Sequence, residues 1–335
     1  MYRNPEEENL SLVPTTHSET LRFAHFSVKE FLVSSRILHP TRPSAFFAIC
    51  QPDAHRFATT VCLIYLISAI EISTPTSEHF PLIRYAAEYW YTHLTATTSK
   101  IREALEYNLV TKLFDSPSDV TISRWLSLHD PEYYSPYYRN AVGPPGPLYY
   151  SSLLGLANIA EWLLGKGAKV NRQGGSLGNA LQAASYGGCQ EVVALLLKNG
   201  AEVNAQGGEY ENALQAASYS GYQEVVALLL DNGAEVNAQG GYYGNALQAA
   251  SYGGHQEVVA LLLEHGAEVN VQGGYYGNAL QVAPFSGCQE VVTLLLDNGA
   301  EVHAQGGPFG NALGAASFGG HQEVVELLLE RGAQF

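Results

Sequence analysis

Residues 254–270 read G-H-Q-E-V-V-A-L-L-L-E-H-G-A-E-V-N, and this stretch decides the fold. Its apolar residues stand at i, i+3 and i+4 spacing, which predicts an amphipathic helix. Gly266 is expected to end that helix, since glycine accepts the left-handed backbone found at helix ends. Just upstream, Asn245 and Gln248 form a capping pattern for a shorter helix, in which the glutamine should reach back to the cap. One unit is therefore two short helices followed by an extended loop.

This unit recurs with a fixed period of 33 residues. Near-copies begin at about 174, 207, 240, 273 and 306, and a degenerate copy beginning near 148 precedes them. A period between about 20 and 50 residues is typical of a solenoid, in which each unit packs on its neighbours. About six units exceed the three or so that a solenoid needs for stability. The sequence therefore predicts an all-α solenoid over residues 148–335.

The unit resembles the ankyrin repeat, and residues 254–270 follow that family's motif nearly residue for residue. The resemblance implies a helix-turn-helix plus a hairpin loop in each repeat, and a function in protein–protein interaction. One departure is regular. Where the family has T-P-L-H at the start of the first helix, this chain has N-A-L-Q, as at 179–182, and the last copy has N-A-L-G. The capping logic survives that change, but Pro284 is expected to distort the first helix of its repeat.

The residues before the solenoid carry no repeat and are predicted to form a small helical domain. We expect a winged-helix-like part over residues 1–45 and a helical stalk over residues 46–129. Residues 130–147 are rich in Pro, Gly and Tyr, which is typical of a linker. An alternative hypothesis is that residues 1–145 only cap the end of the solenoid.

Three segments of this N-terminal part resemble the winged helix and helical stalk that follow the ATPase in fungal NACHT-type signalling NTPases. They read F-A-H-F-S-V-K-E-F-L at 23–32, V-C-L-I-Y-L at 61–66 and L-I-R-Y-A-A-E-Y-W at 82–90. The resemblance implies the sensor and stalk half of such a receptor. No G-x-x-x-x-G-K-[S/T] motif occurs in the chain, so we expect no nucleotide to bind here.

The negative charge is concentrated in the repeats. The whole chain has a net charge of −15, and from residue 146 onward 5 Lys and Arg stand against 17 Asp and Glu, a net of −12. An acidic solenoid repels phosphate backbones, which disfavours nucleic-acid binding. The partner implied by this charge is a neutral or basic protein.

Membrane insertion and secretion are not expected. The longest apolar run, 61–70, has about half of the ~20 residues that a membrane-spanning helix needs, and the N-terminus has no apolar signal core. The four cysteines form no C-x-x-C pair, and free thiols fit a reducing compartment. We expect a cytoplasmic protein, with the nucleus left open.

No pattern in the sequence supports catalysis. The string G-G-S-L-G at 174–178 matches a nucleophile-elbow motif, but it lies in a repeat loop rather than in a strand-to-helix turn. The histidines lack the spacing of metal ligands, and His255 and His321 are interpreted as structural residues. We therefore expect no catalytic residue, no metal and no cofactor.

The copies differ from one another mainly at two loop-tip positions and at the residue that closes the first helix. Aromatic residues dominate there, and tyrosine is enriched at interface hot spots. In ankyrin proteins that bind partners, contacts come mainly from loop tips and first helices, so the resemblance implies a partner groove along a concave, acidic, aromatic-rich face. The alternative, that each ring packs against its neighbours, stays open. The candidate partner-binding residues are Tyr210, Tyr219, Tyr242, Tyr243, Tyr252, Tyr275, Tyr276, Phe285, Phe309 and Phe318.

Overall fold

The described part of the chain is helical throughout. The computed structural model describes residues 51–71, 80–96, 105–115, 120–131 and 145–334. These residues form sixteen α-helices and no β-strand, apart from isolated bridges within two loops. The winged-helix prediction for residues 1–45 and most of the 130–147 linker prediction lie outside the described residues. Within them, no helix is both long and apolar enough to cross a membrane.

Four helices precede the repeats: α1 Gln51–Glu71, α2 Ile83–Thr95, α3 Leu105–Phe114 and α4 Val120–Leu128. They pack around Trp90 and Trp125, both fully buried, whose ring centroids lie 5.6 Å apart. The Trp125 Nε1 donates to the Ala87 carbonyl over 2.9 Å, which fixes α4 against α2. This bond replaces the one to water that the Trp125 N–H loses on burial.

These helices and the repeats share one core. Trp125 packs edge-to-face on Tyr150 of the first repeat, with ring centroids 6.0 Å apart. Buried residues form a continuous cluster from Cys62 to Ala333, and residues 55–335 make one compact unit. Helices α1–α4 therefore bury the end face that the first repeat would otherwise expose.

Six repeats follow, each built from a first and a second helix. Repeats 1 to 3 contain α5 Pro147–Leu153 with α6 Ala157–Gly165, α7 Ala180–Tyr186 with α8 Gln190–Lys198, and α9 Ala213–Ser220 with α10 Gln223–Asp231. Repeats 4 to 6 contain α11 Ala246–Gly253 with α12 Gln256–Glu264, α13 Ala279–Ser286 with α14 Gln289–Asp297, and α15 Ala312–Gly319 with α16 Gln322–Glu330.

The sequence pattern explains how the helix pairs stack. In repeat 4, Val258, Val259 and Leu262 of the second helix are buried, and each such side chain stabilises the fold by about 1.5–3 kcal/mol. The first helix buries Ala249 and Ala250, whose small side chains let neighbouring first helices approach closely. Pro284 does not shorten α13, which has the same eight-residue length as α11. The proline has no N–H to donate to the Leu280 carbonyl, so one backbone bond is lost, but this loss does not change the helix bounds.

The predicted asparagine caps are confirmed, but the glutamine beside them acts differently from expectation. The Asn245 Oδ1 accepts from the Gln248 backbone N–H over 2.9 Å. Only in repeat 5 does the glutamine also reach back to its own cap, from Gln281 to Asn278. The Gln248 Nε2 instead donates to the Gly277 carbonyl in the loop of the next repeat, over 2.7 Å. The glutamine therefore ties one repeat to its successor.

A second tie joins the loops that follow the second helices. The Asn204 Nδ2 donates to the Gly233 carbonyl over 3.1 Å, and its Oδ1 accepts from the Glu235 backbone N–H over 2.9 Å. The same pair of bonds joins consecutive repeats from repeat 1 to repeat 5. We refer to the four asparagines that make them as the asparagine ladder: Asn171, Asn204, Asn237 and Asn270. At the next equivalent position the chain has His303.

Candidate protein-binding surface

A five-residue loop opens each repeat from the second onward. We call these the tip loops, at 174–178, 207–211, 240–244, 273–277 and 306–310. The first and last residues of each are hydrogen-bonded, as in Gly240 N–H to the Gly244 carbonyl over 2.9 Å. In two neighbouring pairs the loops are also joined, since the Glu209 N–H donates to the Ser176 carbonyl and the Tyr275 N–H donates to the Tyr242 carbonyl, both over 2.8 Å. The loops therefore hold their side chains in parallel rows along the array.

One row of tip-loop rings is buried. Tyr210 is only 1% exposed, and Tyr243 and Tyr276 are also buried. The Tyr243 ring centroid lies 5.0 Å from that of Tyr219 and 5.0 Å from that of Tyr252. Each of these rings thus fills a slot between the helix-end rings of two consecutive repeats. A position at a loop tip therefore does not by itself leave a ring exposed.

The packed rings form a continuous column, which we call the aromatic spine. Burial raises the pKa of the Tyr243 and Tyr276 hydroxyls well above the usual range. The inter-repeat packing left open by the sequence is thus present throughout the column. Its members are Tyr186, Tyr210, Tyr219, Tyr243, Tyr252, Tyr276, Phe285, Phe309 and Phe318.

A second row of tip-loop rings is exposed. Tyr242 is 43% exposed and Tyr275 is 53% exposed, and the two rings stack with centroids 5.2 Å apart and planes within 11°. We call them the exposed tyrosine pair. Both rings stand edge-on to Tyr276, at 5.7 and 5.1 Å, so the spine supports them from below. Phe318, at the last position of the spine, is 72% exposed.

Glu209 takes the place of the exposed tyrosines in the tip loop of repeat 3. Its carboxylate is half-buried, and among the described residues no group hydrogen-bonds its Oε2. Burial raises the pKa of Glu209 because no opposite charge offsets the lost hydration. The exposed acidic residues otherwise lie mainly on the second helices and at the edge of the asparagine ladder, as with Glu257 and Glu235. The expected acidity of the aromatic face is thus limited to Glu209 and its neighbour Glu211.

We call the tip-loop positions 209, 242 and 275, with the half-buried rings of Tyr219 and Tyr252 beside them, the tip surface.

Glu211 is the one described non-glycine residue with a left-handed backbone, with φ of 66°. The equivalent position is glycine in the other tip loops. A Cβ built on Gly178, Gly244 or Gly277 would overlap the Oε1 of the glutamine four residues later. In repeat 6 that glutamine is replaced by Gly314, and a Cβ on Gly310 would meet nothing. The tip-loop glycine therefore makes room for the glutamine that ties the repeats.

Repeat 3 lacks that room, and its tie is missing. Gln215 is fully buried, yet neither its Nε2 nor its Oε1 has a hydrogen-bond partner among the described residues. By contrast, the Gln182 Nε2 of repeat 2 donates to the carbonyls of Gly207 and Glu211, over 2.8 and 3.0 Å. The Cβ of Glu211 occupies the space that the amide of Gln215 would need. Repeats 3 and 4 are therefore joined by fewer hydrogen bonds than repeats 2 and 3.

The remaining polar residues that the sequence singled out have structural environments. The His255 Nε2 donates to the Tyr219 carbonyl over 2.9 Å and the His321 Nε2 to the Phe285 carbonyl over 3.1 Å, which confirms the structural interpretation. Ser176 is buried in its tip loop, away from any strand-to-helix turn. Burial raises the pKa of the Cys189 thiol to about 11. In the part of the chain that the structure describes, no three His, Cys, Asp or Glu residues are grouped so as to hold a metal ion.

Comparison with protein families identifies the repeats. A model described as ankyrin repeats in three copies matches residues 148–240 and residues 216–306. Among solved structures, the human ASB11 ankyrin repeat domain is 29% identical, with a TM-score of 0.51. That match covers 56% of this chain and 85% of the ASB11 domain. The predicted fold, an all-α solenoid of this type, is confirmed.

One curated relative is the azaphilone pigments biosynthesis cluster protein L of Monascus ruber. It is 38% identical to this chain over 192 residues. The match covers 51% of this chain but only 39% of the relative, so the chain spans about two fifths of that protein's length. The resemblance of residues 23–90 to NACHT-type receptors finds no counterpart in these matches.

Proposed function

Since residues 148–306 of this chain are ankyrin repeats, we propose that it is a non-enzymatic interaction module that binds a protein partner across the tip surface. The observation that carries the proposal is the exposed tyrosine pair, Tyr242 and Tyr275. Ankyrin repeats are typical of interaction modules, because a solenoid presents an extended surface instead of a closed pocket. The partner that best matches the chain's charge is a neutral or basic protein.

The geometry of the exposed tyrosine pair suits it to binding. Tyrosine offers a large contact area with few rotatable bonds, so little entropy is lost when a partner covers it. Here the edge-on contacts with Tyr276 already hold both rings, which lowers that cost further. Tyr210, Tyr243 and Tyr276 lie beneath the surface, and their part in binding is to support it.

The half-buried spine rings complete the proposed surface. Tyr219, Tyr252 and Phe285 keep part of their edges accessible beside the tip loops. Phe309 and the exposed Phe318 extend the same strip into repeat 6. We propose that a partner covers this strip lengthwise, since its rings follow one another along the array.

A comparison of variants tests the proposal. Tyr242→Ala/Tyr275→Ala should abolish capture of a specific protein from the native cell, while leaving the thermal unfolding temperature nearly unchanged. The matched control is Tyr222→Ala, because Tyr222 is also exposed, at 40%, but lies at the start of a second helix. Proteins retained by wild type and by the control, yet lost by the double variant, are the expected result. Identical capture by all three would refute a binding role for the tip surface.

A second candidate function is the sensor and stalk half of a NACHT-type receptor. The observation in its favour is that α1 and α2, which carry two of the resembling segments, share a continuous core with repeat 1. Such a core could couple binding on the repeats to a preceding ATPase. A longer transcript that encodes a phosphate-binding loop upstream of this chain would support this function, and a complete transcript beginning at Met1 would contradict it.

We propose the cytoplasm as the compartment. Support comes from Cys62, Cys189 and Cys288, which are free thiols in the structure and fit a reducing environment. Fractionation of the native cell with an antibody to this chain tests the assignment.

A further inference from the structure

A cavity of about 450 Å³ lies in repeat 1, between the start of α5 and the loop that follows α6. Small-molecule sites usually have volumes of about 300–1,000 Å³, so the cavity is large enough for one. Its wall is mostly apolar and includes the buried side chains of Leu148, Leu163 and Ala180. Two charged residues of the described chain line it, Lys169 and Arg172, and both are basic and exposed. The cavity therefore combines an apolar wall with positive charge at the surface.

The cavity lies where repeat 1 departs from the later repeats. Gly146 stands 33 residues before Asn179, the cap of α7, and has no side chain to take the place of the capping amide. The Arg172 guanidinium passes over this glycine, since a Cβ on Gly146 would lie 2.7 Å from the Arg172 Nη1. Tyr149 occupies the position of the tie glutamine, and its hydroxyl accepts from the Leu177 N–H over 3.1 Å. The departure therefore removes a side chain from the cavity without removing the tie to repeat 2.

The two cations of the cavity are also peculiar to repeat 1. Lys169 stands where the later repeats have glutamate, and Arg172 stands where they have alanine or valine. The equivalent residues are Glu202, Glu235, Glu268 and Glu301 in the first case, and Ala205, Ala238, Val271 and Ala304 in the second. A third cation of this repeat, Lys166, pairs with Asp115 over 2.6 Å instead. The later repeats fold without the two cations, so the fold does not require them, and their place beside a cavity points to an anion.

We propose that this cavity binds a small organic acid, in which a carboxylate is attached to an apolar ring or chain. Lys169 and Arg172 bind the carboxylate, since a guanidinium donates two parallel hydrogen bonds to one carboxylate and an ammonium adds a point charge. The apolar part of the ligand packs against Leu148 and Leu163, which removes its surface from water. The inference goes beyond the proposed function, because no residue of the tip surface lines the cavity.

Three probes on the full chain test the chemistry of the ligand, by isothermal titration calorimetry at physiological salt. 2-Naphthoate carries both features, 2-naphthylmethylammonium has the same ring with the opposite charge, and acetate has the carboxylate without the ring. We expect 2-naphthoate to bind about tenfold or more tightly than either of the others, because each of them lacks one of the two interactions. Equal affinity for the naphthyl ammonium, or no binding of 2-naphthoate, would overturn the inference.

Two double variants test the role of the cations. Lys169→Gln/Arg172→Gln should weaken 2-naphthoate binding by about tenfold and leave the thermal unfolding temperature nearly unchanged, since both side chains are exposed. The matched control is Lys198→Gln/Arg331→Gln, which removes one exposed lysine and one exposed arginine of the later repeats. The control should bind as the wild type does. Equal losses in the two double variants would show only diffuse attraction of charge and contradict a site in repeat 1.

Backbone amide chemical shifts locate the bound probe. Addition of 2-naphthoate should move the signals of residues 148–149 and 168–172, which border the cavity. The signals of the tip loops at 240–244 and 273–277 should stay in place. Shifts confined to these tip loops would place the naphthyl ring on the exposed tyrosine pair and refute the cavity as the site.

Discussion

The substitution Glu211→Gly should stabilise the protein, although it removes a side chain and adds a flexible residue. Glu211 has a left-handed backbone, which costs an ordinary residue roughly 1–2 kcal/mol. Glycine avoids that cost but adds about 0.4–1 kcal/mol of chain entropy to the unfolded state. The backbone effect alone is therefore a gain of about 0.5–1 kcal/mol.

A larger gain comes from Gln215. Without the Cβ of residue 211, its amide can enter the space that Gln182 occupies in repeat 2, where it donates to two carbonyls. Each such bond contributes about 1 kcal/mol, and both are donated by the Gln215 Nε2, which now lies buried without a partner. The sum is an increase of about 2–3 kcal/mol in the free energy of unfolding.

Urea unfolding of the full chain, together with hydrogen exchange of the amides in repeats 3 and 4, measures the effect. The same substitution in a Gln215→Ala background should keep only the backbone part, about 0.5–1 kcal/mol. The reverse change, Gly244→Glu, should destabilise repeat 4, where Gln248 now makes its bonds. A neutral or destabilising Glu211→Gly would refute the steric explanation for the missing tie, as would an equal gain in both backgrounds.

Four further outcomes follow from the structure. Tyr210→Ala should lower the free energy of unfolding by about 3–5 kcal/mol, because it leaves a cavity in the spine, whereas Tyr242→Ala should lower it by less than about 1 kcal/mol. Urea unfolding measures both, and equal losses would contradict the difference in burial between the two rings. Glu209→Gln should raise the thermal unfolding temperature at neutral pH. The pKa of Glu209 is higher in the folded chain than in the unfolded chain, so the wild type loses stability as the pH rises through that interval. The stability advantage of the variant should therefore vanish below about pH 4. An advantage that is independent of pH would exclude this cause. His303→Asn should extend the asparagine ladder to repeat 6 and slow hydrogen exchange near its end by an amount equivalent to about 1 kcal/mol, while unchanged exchange would show that the ladder cannot be extended. Finally, Cys189 in the folded chain should react with iodoacetamide far more slowly than a free cysteine at pH 8, because its pKa is about 11; reaction at the free rate would mean that the site opens.

The period of 33 residues was enough to predict the helix pairs, their caps and the solenoid. These features are local, since Asn245 caps its own helix and Val258 belongs to an apolar stripe within nine residues. The glutamine tie was misassigned because a capping pattern and an inter-repeat bond require the same residue at the same place. The glycine found four residues before that glutamine in repeats 2, 4 and 5 was the available signal, because it leaves space that a cap alone would not need.

The tip-loop rings show where sequence patterns become ambiguous. Tyr242 and Tyr243 are adjacent and identical, yet one is exposed and the other is buried. The turn at 241–243 directs one ring toward the spine and the other outward, and the slot that the buried ring enters is formed by Tyr219 and Tyr252 from two different repeats. That slot exists only after the repeats have stacked, so the sequence of one repeat cannot reveal it. Exposure alone also leaves the binding role of Tyr242 a prediction.

The constant spacing of the ties has a consequence for how the array can change in length. Each asparagine of the ladder bonds to positions 29 and 31 residues further on, whatever repeat it belongs to. A duplicated unit inserted between repeats 4 and 5 would therefore meet a matching acceptor and donor on both sides, and its rings would join the spine. Gene duplication can thus lengthen or shorten the array by whole units without leaving an orphaned polar group. Three residues break this regular pattern, so the repeats that contain them are no longer interchangeable with the others: Glu211, His303 and Gly314.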